Sequence, residues 1–135
     1  MYFLEKLLQN ITQWGGTSLL VEYEDTFPYT EHFEVARGKF TYTEEFIKKI
    51  NGEAAKNNIE IIPYVSLFED LDFLLKHSEF KKYRDNVKYT EMVNPLQDDT
   101  VTVLTELVRN IMRLHPNSKS VHIGCRKPMM LVMGF

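Results

Sequence analysis

Three carboxylates, Glu22, Glu24 and Asp25, crowd together at the end of a short apolar run. Carboxylates this close repel one another, which favours a raised pKa for one of them. They suit recognition of sugar hydroxyls or an amide, and they equally suit a solvated loop; spacing alone favours the second. A second acidic run, Glu69, Asp70 and Asp72, is interleaved with Leu71, Phe73 and Leu74. It reads as a helix start, where the helix dipole favours negative charge. His122 sits among apolar neighbours, and two readings stay open for it: a hydrogen-bonded core histidine, the commoner case, or a ligand-facing one. Arg126 and Lys127 follow directly. Two cations there suit an anion or, more simply, a solvated tail. His32, His77, His115 and Cys125 show no metal-ligand spacing, so neither a zinc site nor a cofactor is expected.

The elements that must position these groups alternate. Phe3, Leu4, Leu7, Leu8, Ile11 and Trp14 recur at helical spacing over residues 1–14, and Gly15-Gly16 should end that helix. Residues 18–23 read as a strand apolar on both faces, as in a buried parallel sheet. Thr41 and Glu44 have capping-box spacing and open a helix running to about Asn57, with Phe46, Ile47, Ile50 and Ala54 inward. Residues 59–65 form a second strand, with Pro63 expected at its end because proline cannot donate to a ladder. A helical segment with Leu71, Leu74 and Leu75 on one side follows. Asp98 or Asp99 should cap the next helix, whose apolar face is Val101, Leu104, Leu107, Val108, Ile111 and Leu114. Residues 120–124 make a third strand. This order predicts an α/β fold with about three parallel strands and flanking helices. Ligands of such folds sit at the carboxyl ends of the strands.

Composition narrows the function class. With 44% hydrophobic and 26% charged residues the chain is globular. A net charge of −3 with one basic cluster, Lys81, Lys82 and Arg84, gives no nucleic-acid-binding face. A single cysteine allows no intrachain disulfide. No leader peptide and no membrane-spanning run is expected, and an intracellular protein, cytoplasmic or nuclear, is the expectation.

Several segments together carry a family resemblance. His122-Ile123-Gly124-Cys125 resembles the opening of the His-x-Gly-x-Asp-Glu signature of glycoside hydrolase family 20, the β-N-acetylhexosaminidases. Leu20 to Asp25 followed by Phe27-Pro28-Tyr29, then Ile61-Ile62-Pro63, Phe73 to His77, and Asn94-Pro95, resemble the hexosaminidase D branch in order. The resemblance implies a partial (β/α) TIM barrel over residues 1–125, with residues 126–135 an unrelated tail. It implies N-acetyl-hexosamine glycosides as partners, contacted through Glu24, Asp25, Tyr29 and His122. In the family the substrate's acetamido group is the nucleophile; the signature Asp orients it and the adjacent Glu is the general acid. Here those two positions hold Arg126 and Lys127, and the family's Gly-His after the preceding strand is Glu69-Asp70. A barrel of this type takes about 250 residues, so the chain should be a fragment or degenerate member that does not catalyse. The alternatives are a non-catalytic carbohydrate-binding or protein-interaction remnant, and an unstable product. Open strand edges should drive self-association.

Overall fold

The computed structural model describes residues 2–125. Arg126, Lys127 and the remaining tail lie outside the described residues. Helix α1 (Tyr2–Gln13) leads to strand β1 (Ser18–Glu22), helix α2 (Glu44–Lys56), strand β2 (Glu60–Ser66), the short helix α3 (Asp72–Leu75), helix α4 (Thr100–Met112) and strand β3 (His122–Gly124). The strands form one parallel sheet in the order β1-β2-β3. It is the three-stranded α/β segment that the alternation predicts.

Local chemistry fixes where the helices stop. Gly15, at φ 80°, follows α1; Gly16 N donates to Ile11 O at 2.8 Å and Gly15 N to Thr12 O at 3.0 Å. These are the paired bonds of a left-handed helix cap. Asn58, at φ 55°, does the same for α2, with Ile59 N on Ala54 O at 2.9 Å. The start of α2 is shifted from expectation. Thr43 caps it, accepting from Phe46 N at 3.2 Å. Thr41 cannot, because its hydroxyl donates at 3.0 Å to Asp25 O and also lies 2.8 Å from Gly38 O. Asp99 precedes α4 at φ 65° but makes no side-chain cap.

The sheet has two unlike faces. Paired residues of neighbouring strands share a face. Leu19, Val21, Ile61, Val65 and Val121 therefore lie together, and they pack into the core with Ile47, Ile50, Leu107 and Ile111. The opposite face carries Leu20, Glu22, Ile62, Tyr64 and His122, and Leu20 is 50% exposed. β1 is thus half-exposed among the described residues, not buried on both faces. Phe3, Trp14 and Val101, expected inward, are also exposed, at 79%, 78% and 73%. Two further turns of tighter helix, Glu31–Ala36 and Ser78–Tyr83, were not foreseen. They bury Phe33 and Phe80, whose rings stack at 5.6 Å.

Pro63 lies inside β2, opposite Val21, not at its end. Glu60 N donates to Thr17 O on the β1 side, whereas Leu67 N donates to Gly124 O on the β3 side. Alternation along the strand turns the Pro63 nitrogen toward β3, and β3 pairing begins only at Tyr64. The missing donor therefore removes no ladder bond between these strands.

Candidate functional site

Because the strands are parallel, their carboxyl ends share one edge of the sheet. Glu22, Tyr64 and His122 stand directly opposite one another and form a row across the exposed face, one step before Ser66 and Gly124. Beyond β1 the chain makes a single tight turn, Glu24–Thr26, with Glu24 at φ 46°. Thr26 closes it onto Tyr23 O through its amide, at 2.9 Å, and its hydroxyl, at 2.6 Å.

The following segment clamps this turn. Gly38 N donates to Asp25 O at 2.7 Å and Tyr42 N to Thr26 O at 2.8 Å. A Cβ at Gly38 would meet the Asp25 carboxylate, which would have to move aside. From below, the Tyr29 hydroxyl donates to Glu24 O at 2.9 Å. Tyr29 is itself buried, with its ring 6.0 Å from that of Phe73 and nearly parallel to it. Burial, and then Asp25 and Glu24, hold its phenol well above the usual range, so it stays protonated and a donor. Tyr29 therefore shapes the site through the Glu24 backbone.

Two openings flank the turn. One, of about 460 Å³, is lined by Glu22, Glu24, Asp25, Thr26 and Tyr42, within the size range of small-molecule sites. The other, between Glu22, Glu24, Tyr29 and Tyr64, has only about 10 Å³, room for roughly one water.

Both acidic runs meet here. The Glu24 carboxyl is raised above its ordinary value, first by partial burial and then by Glu22, Asp72, Asp25 and Asp70. Asp72 sits in the first turn of α3, the role read for it, but its field also reaches Glu24. A raised acid is a site that works against folding. Its unfavourable ionisation is fully present above the folded pKa and absent below the unfolded value of 4.5. Glu24→Gln should therefore raise the urea midpoint at pH 7 and leave it unchanged near pH 4. A lowered midpoint at pH 7 would show that Glu24 stabilises the turn. No group of three or more His, Cys, Asp or Glu is placed to hold a metal ion among the described residues.

His122 is not the core histidine of the commoner reading. His122 is exposed, on an edge strand of the described sheet, with its ring stacked on Tyr64 at 4.8 Å and 19°. His115 is the core histidine, 1% exposed. Its Nδ1 lies 2.9 Å from Ile111 O and its Nε2 2.9 Å from the Tyr23 hydroxyl. A carbonyl only accepts, so Nδ1 is assigned the proton and Nε2 accepts from Tyr23. Burial lowers the His115 pKa against the smaller opposing effect of Ile111. The unfolded chain then takes up this proton more readily than the native one. Stability from His115 is full above the unfolded pKa of 6.5 and is lost as pH falls below it. The urea midpoint, taken at one fixed protein concentration, should drop between pH 7.5 and 5.5. His115→Gln should flatten that drop; an unchanged slope would remove His115 as its cause. Sequence reading missed His115 because it lies beyond the periodic part of α4. It also missed Tyr64, which the two-residue phase of β2 could have placed beside His122.

No family model matches the sequence. The three-stranded fold matches part of the glycoside hydrolase family 20 β-N-acetylhexosaminidase barrels. A Streptomyces plicatus β-hexosaminidase superposes with a TM-score of 0.71 at 14% identity, over 90% of this chain and 28% of that one. Dispersin B superposes with a TM-score of 0.70 at 16% identity, over 92% of this chain and 44% of that one. In sequence, the chain is similar to hexosaminidase D. It is 32% identical to the Bos taurus protein over 123 residues, 91% of this chain and 36% of the relative, and equally identical to the Homo sapiens protein, of which it spans 25%. The chain thus spans about a third or less of the curated relatives it matches. Among the described residues no helix is long and apolar enough to cross a membrane.

Proposed function

We propose that residues 1–125 form the sugar-facing part of a β-N-acetylhexosaminidase-type barrel that recognises N-acetyl-hexosamine glycosides without hydrolysing them, residues 126–135 being unrelated to it. One observation carries the reading: the clamped Glu24–Thr26 turn and the Glu22, Tyr64, His122 row converge at the carboxyl edge of the sheet, in a chain similar to hexosaminidase D. Glu24 and Asp25 accept hydrogen bonds from sugar hydroxyls or an amide, His122 contributes a ring edge, and Tyr29 fixes the Glu24 backbone. Structurally similar enzymes from Streptomyces plicatus and Vibrio harveyi hold N-acetylglucosamine, which supports this ligand class. The absence of hydrolysis rests on Arg126 and Lys127 at the acid-pair positions and on Glu69-Asp70 in place of Gly-His. The test is retention on an immobilised N-acetyl-β-glucosaminide. The chain should be retarded relative to a sugar-free matrix and released by free N-acetylglucosamine. Asp25→Ala should abolish the retardation, and equal passage through both matrices by the wild type would refute sugar recognition.

A further inference from the structure

The Tyr64–His122 pair has a local logic that sequence reading did not reach. Tyr64 is 8% exposed, while His122, directly opposite it on β3, is exposed. An exposed side chain samples several rotamers, and ordering it on a ligand costs entropy. Here one face of the imidazole lies on the Tyr64 ring, at 4.8 Å and 19°, within the range of favourable aromatic stacking. The phenol is in turn held in place. Its ring end occupies the space where a side chain at residue 124 would begin, so that any Cβ on Gly124 would collide with the Tyr64 hydroxyl. Gly124 and His122 are on the same face of β3, two residues apart. The His-x-Gly spacing therefore acquires a physical meaning here: the histidine supplies the ring and the glycine leaves the gap that admits its support.

We propose that Tyr64 is a positioning residue that presents His122 to the glycoside, with Gly124 required to seat the phenol. This rests on the sugar-recognition reading above, and the experiment separates the two. The full chain is treated with diethyl pyrocarbonate, with and without a methyl N-acetyl-β-glucosaminide, and modification is read histidine by histidine by mass spectrometry. His115, buried at 1%, reports folding by staying unmodified. In the wild type His122 should react slowly and the glycoside should slow it further. Tyr64→Phe keeps the ring and should behave alike. Tyr64→Leu removes the stack and Gly124→Ala displaces it. Both should speed His122 modification by roughly two- to tenfold, the equivalent of one aromatic pair, and lose glycoside protection while His115 stays unmodified. Equal His122 rates in wild type, Tyr64→Leu and Gly124→Ala would overturn the positioning role. Should Tyr64→Leu expose His115 by unfolding, Gly124→Ala decides alone. Variant-dependent rates without glycoside protection in the wild type would instead overturn sugar recognition, leaving the stack as packing only.

Discussion

The purified 135-residue chain should release no product from an aryl N-acetyl-β-glucosaminide above a buffer blank. In the family it resembles, the group that protonates the leaving oxygen must carry a proton to give, and the group that orients the acetamide must accept one hydrogen bond. A permanently charged guanidinium can do neither, and an ammonium accepts nothing. Loss of a general acid alone lowers rates by about 10²–10⁴. Loss of the partner that aligns the internal nucleophile removes an orientation effect of comparable or larger size. The double substitution Arg126→Asp with Lys127→Glu should not restore turnover. Glu69 and Asp70 would remain where the family has Gly-His, and Asp70 is one of the charges that, after partial burial, raise the Glu24 carboxyl. Hydrolysis by wild-type chain freed of host hexosaminidase would defeat the inactive reading. Recovery in the double variant would place the whole defect at the two substituted positions.

The second large effect concerns association. Among the described residues β1 and β3 each pair on one side only. Leu20 and Ile123 on these strands, and Phe3 and Trp14 at the two ends of α1, are all at least half exposed. Unpaired strand edges next to apolar surface template pairing with further chains. The chain expressed alone should elute from a sizing column above its monomer mass, shifting toward monomer on dilution, or should bind a hydrophobic dye without a sharp thermal transition. A concentration-independent monomer with cooperative melting would show that these surfaces are tolerated. Replacing Trp14 and Leu20 by glutamate should reduce the associated fraction severalfold if apolar burial drives it.

How far the sequence foretold this molecule depends on whether the deciding forces are local. The end of α1 was legible, since Gly15 and Gly16 encode it in two residues. The start of α2 was misjudged by two residues. Thr41 has the right chemistry for a cap, but its hydroxyl is engaged by Asp25 and Gly38, and Asp25 lies 16 residues away. The tight turns at Glu31–Ala36 and Ser78–Tyr83 escaped notice for the same reason. Arg37 Nε on Tyr29 O at 2.6 Å and Arg84 Nε on Leu75 O at 2.8 Å secure them, and neither pairing shows in periodicity. At the site, the crowding of Glu22, Glu24 and Asp25 was readable as charge repulsion. That Asp70 and Asp72 would join them was not, because only parallel pairing brings the two strand ends together.

Pro63 has a consequence for how the third strand finds its place. If β3 slid two residues toward the start of β2, His122 would stand opposite Ile62, and an acceptor from β3 would meet a nitrogen with no hydrogen to offer. A slide of one residue would turn every β3 side chain to the wrong face. The proline thus acts as a doorstop for annealing: zipping between β2 and β3 is favourable from Tyr64 onward and meets a fault one residue earlier. A side chain usually read as a sheet-breaker here narrows the choice of alignments, so that the imidazole comes to rest on the phenol.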